Sequence, residues 1–197
     1  MKSKANIQSS KLLKMIILSI LGTISLLLLF LNFPLPILPS YLKIDFSEVP
    51  ALIAAFIFSP IAGVIVEAIK NILYLLVGGG EPVGVSANFI AGVLFVVPVS
   101  VFYHKYKRTK SVISGLIIGT IVMAVAMSVL NYFVILPVYA MFMGMEEMQI
   151  ASVKKVAVLY GILPFNLLKG IILGLVFTPL FLKMRQWIES KQHQMIS

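Results

Sequence analysis

The chain of 197 residues is 60% hydrophobic and only 12% charged, whereas soluble domains average about 25% charged residues. It has too little polar surface to coat a water-soluble globule, which excludes a soluble enzyme. The formal charge of +9 is therefore read first as membrane topology, because cytoplasmic loops collect Lys and Arg, and not as a nucleic-acid footprint.

A spanning helix needs about 20 predominantly apolar residues to cross a hydrocarbon core about 30 Å thick. The first apolar run, Met15 to Phe33, follows Lys2, Lys4, Lys11 and Lys14 and lacks a small-x-small cleavage site after it. It reads as a retained helix over about 12–33 and not as a signal peptide. Pro34, Pro36 and Pro39 forbid its continuation and predict a stiff, extended loop over about 34–47. The next block, Val49 to Val77, contains Ser59-Pro60 and is either one kinked helix or two helices. Gly78-Gly79-Gly80-Glu81-Pro82 is a loop, Gly84 to Tyr103 a further span, and 104–110 a basic turn. Spans over about 111–142 and 156–182 follow, joined by a polar connection at 145–152.

Parity chooses between the readings of the 49–77 block. The basic clusters at the N-terminus, at 104–110 and at the C-terminus all belong on the cytoplasmic side. One kinked helix would put 104–110 outside. Two helices, over about 42–59 and 61–77, put every cluster inside and leave Lys43, Lys154 and Lys155 in outer loops. The expectation is an all-α integral membrane protein, one domain of six transmembrane helices with both termini in the cytoplasm.

Small residues recur four apart at Ala51/Ala55, Ser59/Gly63, Ala87/Ala91, Gly115/Gly119 and Gly170/Gly174, a pattern that lets membrane helices approach closely. Ionisable groups inside a span cost about 2.5–3.5 kcal/mol each on insertion scales, so each needs a partner or a purpose. Glu67, Lys70 and Asn71 share one helical face, where Glu67 and Lys70 either form an internal ion pair or take part in a proton or cation relay. Lys169, with Asn166 one turn before it, has no acid nearby in sequence and must find a partner on another helix; Glu48 and Asp45 lie at the same outer depth. Glu48, Asn131, Asn166 and Lys169 together make an outward-opening polar cluster. It is either a structural network or a pocket for a ligand with amide-like and hydroxyl groups, its apolar part lying against loop 34–42.

Absences narrow the chemistry. There is no cysteine, and His104 and His193 lie in basic polar stretches, so a thiolate or histidine metal centre is not expected. No phosphate-binding Gly-x-x-x-x-Gly-Lys loop, no Gly-x-Ser-x-Gly elbow and no His-Glu-x-x-His occurs, so energised transport would need a partner that hydrolyses ATP.

The run from Pro34 to Pro50, Pro60-Ile61-Ala62-Gly63-Val64, Lys70-Asn71, Glu81-Pro82-Val83-Gly84 and Ala87-Asn88-Phe89-Ile90-Ala91-Gly92 resembles, in order and at family spacing, the RibU family. So do Leu130-Asn131-Tyr132-Phe133 and Pro164-Phe165-Asn166-Leu167-Leu168-Lys169-Gly170. These are the riboflavin-specific S components of energy-coupling factor (ECF) transporters. The resemblance implies an S-component-like bundle in a bacterial cell membrane that captures riboflavin, or its phosphate FMN, from outside and performs no catalysis. It implies that Glu48, Asn131, Asn166 and Lys169 hydrogen-bond the flavin ring edge or ribityl chain, that Leu38, Tyr41 and Leu42 cover the ring, and that Asn88 takes a binding or structural role. It further implies a transmembrane coupling subunit and two cytoplasmic ATPases as partners. The family's small-residue docking face on the first helix is replaced here by Ser19, Gly22 and Thr23.

Rival readings are an S component for another vitamin or flavin precursor, a stand-alone carrier driven by an ion gradient, and an intramembrane enzyme. The last would have to use Glu48 with Lys169 or Glu67 with Lys70, and neither pair supplies a nucleophile.

Overall fold

The computed structural model describes residues 4–36, 38–39, 42–144 and 146–196, with side chains except those of 4–10, 143 and 193–196. Its helices are α1 (Lys4–Phe30), α2 (Glu48–Ile57), α3 (Pro60–Leu76), α4 (Pro82–Tyr106), α5 (Thr109–Leu130), α6 (Leu136–Met143), α7 (Ala151–Ala157) and α8 (Leu163–Ile196). Among the described residues, four helical stretches are long and apolar enough to cross a membrane: Lys11–Phe30, Pro82–Tyr106, Thr109–Phe142 and Ala151–Gln192. The outer faces are apolar, with Ile117, Ile121, Val125 and Val129 exposed along one stripe of α5, while Glu48, Glu67, Lys70 and Lys169 are buried. That inversion of a soluble protein's pattern is the arrangement a hydrocarbon solvent requires.

The centre of the bundle is α2. Every one of its 10 residues is buried, as expected of a helix that is apolar on all sides. It packs against α1, α3, α4 and α8, and Ala51, Ala54 and Ala55 let those neighbours come close. Its last carbonyls would be orphaned inside the protein. Instead His104 Nε2 of α4 lies 2.7 Å from the Ala55 carbonyl, and Gln192 of α8 donates to that of Phe56. Ser59 caps α3, with Pro60 in its first turn, so the Ser59-Pro60 break ends one helix and starts the next.

Several boundaries differ from the sequence reading. α1 stops at Phe30, α4 continues to Tyr106, and α8 runs to Ile196. The helix expected from about residue 42 begins at Glu48. The residues before it are extended: Phe33 and Pro34 pair antiparallel with Ile44 and Lys43, closing the proline loop at its base. This short ladder was not expected, and it tolerates Pro34 because only one edge is paired.

Gly115 and Gly119 bring α5 against α4. A Cβ at Gly119 would lie 2.9 Å from the Phe95 carbonyl oxygen, and one at Gly115 3.0 Å from that of Val99. Below α2, Phe56 and Tyr103 stack with centroids 4.1 Å apart. Phe177 and Phe181 meet Phe56 edge-on, so aromatic rings fill that end of the core. The opposite end is left open.

Candidate binding site

At that open end lies a cavity of about 450 Å³, bounded by α4, α5, α6, α8 and the end of the proline loop. Its wall is mostly apolar, with Ala87, Ala91, Met127, Ile135, Ile162 and Phe165 among the lining residues; the polar contributors are Asn88, Asn131, Asn166 and Lys169 within and Lys43, Glu81 and Tyr139 nearer the loops. An apolar chamber with a few convergent polar groups is the usual form of a small-molecule site.

Two helical irregularities shape it. Asn131–Ile135 and Val158–Ile162 are π-helical turns, and each is followed by Leu-Pro, at Leu136-Pro137 and Leu163-Pro164. A proline ring collides with the carbonyl four residues earlier and brings no N–H, so the helix admits an extra residue just before it. Asn131 opens the first π-turn, and Asn166 follows the second by one turn.

The two amides are held alike. Asn131 Nδ2 donates to the Met127 carbonyl at 2.8 Å, and Asn166 Nδ2 to the Ile162 carbonyl at 2.8 Å. With the NH₂ tied back, the carbonyl oxygen is the acceptor each residue offers. Asn88 has a buried Oδ1 with no protein partner among the described residues. A buried acceptor left unpaired beside a cavity costs free energy unless something in the cavity satisfies it.

Lys169 is the buried cation of the wall. Its Nζ lies 2.7 Å from Glu48 Oε1 and 3.1 Å from Asp45 Oδ2. Behind it the polar contacts continue without a break. Asp45 Oδ1 accepts from the Ser47 hydroxyl and from its backbone N–H at 2.9 Å. The Ser47 hydroxyl in turn accepts from Lys70 Nζ at 2.9 Å, and Lys70 reaches Glu67 Oε2 at 2.6 Å. Ser25 of α1 donates to the Ser47 carbonyl. The Glu67 carboxylate occupies the space where a Cβ of Gly92 on α4 would fall. The chain of contacts joins α1, α2, α3 and α8 through the end of the proline loop. Three carboxylates face two lysines, each carboxylate with a lysine Nζ within 3.1 Å, and this pairing offsets the cost of so many charges at full burial.

The structure brings Leu42, Asn88, Asn131, Asn166 and Lys169 into the cavity wall. Glu48 stands behind Lys169 and not in the wall itself. Leu38 is half-buried in the loop and outside the lining. Tyr41 lies outside the described residues. On α1, Ser19 and Thr23 are exposed, while Gly22 is buried where a Cβ would overlap Ile69 of α3. The sequence reading did not single out Glu81, Tyr139, Met148 or Phe165 for the site. The repeated Ile-Leu-Pro at 135–137 and 162–164 was the available signal that two helices bend around a common space.

The sequence and the fold both have counterparts among known proteins. The family model for the substrate-specific component of ECF transporters matches residues 13–181. This chain belongs to that family. Among curated relatives, the riboflavin transporter FmnP of Bacillus subtilis (strain 168) is 46% identical over 185 residues, covering 92% of this chain and 97% of its own. The riboflavin transporter RibU of Staphylococcus aureus (strain TCH60) is 44% identical over 188 residues, covering 95% and 97%. A solved S component of a bacterial ECF transporter superposes with a TM-score of 0.77 at 43% identity, covering 90% of this chain and 98% of that one. This S component is thus a multi-pass membrane protein of bacterial type, and its family is one of transporter subunits, not enzymes.

Proposed function

We propose that this S component captures riboflavin from the outer side of the cell membrane and delivers it inwards with an ECF coupling subunit and two cytoplasmic ATPases. The observation that carries the reading is that Asn131, Asn166 and Lys169 line a common cavity of about 450 Å³. Its close relatives named riboflavin transporters add to it. The amide oxygens accept from the ribityl hydroxyls or the ring N–H, and Lys169 donates to a ring carbonyl or hydroxyl. Leu42 and the apolar wall take the ring, with Leu38 and Tyr41 closing the proline loop over it. Glu48 acts by holding Lys169, and Asn88 supplies a further acceptor.

The orientation follows from charge. With the cavity outside, both termini and the 104–110 cluster are cytoplasmic, and the chain crosses six times. α2 alone spans only about 15 Å at 1.5 Å per residue. The extended residues 42–47 supply the rest of the second crossing, which a membrane tolerates because their polar groups are enclosed by protein. Ser19 and Thr23, open on α1, offer a small-residue surface to the coupling subunit, with Gly22 fixing α1 against α3.

The test is an absorption and fluorescence spectrum of the detergent-purified protein from cells grown with riboflavin. A flavin band with quenched emission, released by unfolding, is expected. A colourless protein that fails to quench added riboflavin overturns the assignment. A competition panel with FMN and other vitamins separates riboflavin from alternatives on the same scaffold.

A further inference from the structure

The segment that covers the cavity between the two π-turns consists of α6, a 3₁₀ turn at Glu146–Gln149 and α7. α6 continues the helix of the first π-turn, α7 runs on into the second, and the 3₁₀ turn between them contacts both. The segment's apolar side chains meet those of the two π-turns in a small cluster. Leu136, Val158 and Ile162 are buried there with Tyr132, Met148 and Ala157 around them, apart from the main core. Leu136 and Met148 also line the cavity. The segment thus shares a satellite cluster with the two π-turns and joins the bundle through them; π-turns next to proline are places where helices bend readily.

One side chain ties this unit to the opposite wall. Tyr139 of α6 packs against the main core. Its hydroxyl donates to Glu81 Oε1. Glu81 is the N-cap of α4, so the bond runs from the covering unit to the far side of the mouth. Gly84 lies beneath it: a Cβ there would be 2.6 Å from Glu81 Oε1 and 2.9 Å from the Tyr139 hydroxyl. Glycine at 84 leaves room for the contact. Glu81, Gly84 and Tyr139 all border the cavity.

We propose that α6, the 146–149 turn and α7 form a lid hinged at the two π-turns, and that the Tyr139–Glu81 hydrogen bond is its clasp, setting how long a ligand stays in the cavity. The proposal rests on the capture reading above. A hydroxyl bonded to a carboxylate is among the stronger hydrogen bonds a protein makes. Its loss is expected to raise the ligand dissociation rate by roughly ten- to a hundredfold, with a smaller change in association.

The experiment uses the full chain in lipid nanodiscs with Tyr139→Phe, Glu81→Ala and the double variant. Riboflavin release is followed by the recovery of its fluorescence. Because the chain has no cysteine, a spin-label pair at Ser86→Cys on α4 and Phe142→Cys on α6, both exposed, reports lid position without any ligand. One narrow distance is expected with Tyr139 present, and a broader, longer distribution with Tyr139→Phe. Release should be faster in each single variant, and the double should fall short of the product of the two single effects, since the singles share the Tyr139–Glu81 bond. Unchanged distances with release rates within twofold overturn the clasp, as do fully additive effects of the two substitutions. If the parent chain binds no riboflavin, the capture reading fails, and the spin-label distances still decide the clasp by themselves.

Discussion

Lys169 Nζ stands 3.1 Å from Asp45 Oδ2 across 124 residues of chain, and its other partner, Glu48, lies at 2.7 Å. Through Ser47 the same cluster reaches Lys70 and Glu67. The wall of the cavity and the contact between α1 and the loop end are thus parts of one buried polar assembly.

Removing the cation alone should therefore be costly. Lys169→Met leaves Asp45 and Glu48 buried without their shared partner, a loss of about 3–5 kcal/mol for a broken buried pair. Thermal unfolding in detergent should show a clearly lowered midpoint. Combining it with Asp45→Asn and Glu48→Gln should recover most of that stability without restoring riboflavin binding. That split separates the structural part of Lys169 from its part in the site.

The amides should behave oppositely. Asn131→Ala and Asn166→Ala each remove one uncharged acceptor from the cavity wall, worth about 0.5–1.5 kcal/mol. Riboflavin affinity, read by fluorescence quenching, should fall by up to about tenfold for each, with little change in the melting midpoint.

Volume is the next lever. Ala87 lines the cavity at the edge of the main core, so Ala87→Leu fills space a ligand would need. Titration calorimetry should show riboflavin affinity lowered by about tenfold or more, as expected when a ligand group is excluded by about 1.4 kcal/mol or above. The melting midpoint should change less than it does for an enlargement at a closed helix contact.

At Gly119 the same kind of enlargement should act on the fold instead. A side chain there meets the Phe95 carbonyl oxygen, which is backbone and cannot swing aside. Gly119→Val should cost about 1–3 kcal/mol through overpacking. The unfolding midpoint should drop, while the folded fraction retains its affinity for riboflavin.

These contrasts mark what the sequence by itself determined. The free energy of moving each side chain from water to hydrocarbon is a local property, so the membrane class and the expensive residues Glu67, Lys70 and Lys169 were legible in chain order. Proline chemistry likewise ended α1 before Pro34 and separated α2 from α3 at Ser59-Pro60. The neighbours of Lys169 were narrowed to Asp45 and Glu48 by depth alone, and the structure uses both.

Tertiary structure decided the rest, because it depends on which distant segments meet. Ala87/Ala91 and Gly115/Gly119 are the same motif in sequence. The first borders a cavity and the second closes a helix contact, since only the partner helix distinguishes space left open from space filled. Gly22 and Ser19 are three residues apart on α1, yet one is buried and the other exposed. Glu81 and Tyr139 carried no sign of each other, for a hydrogen bond between residues 58 apart in the chain exists only once α4 and α6 face across the same mouth.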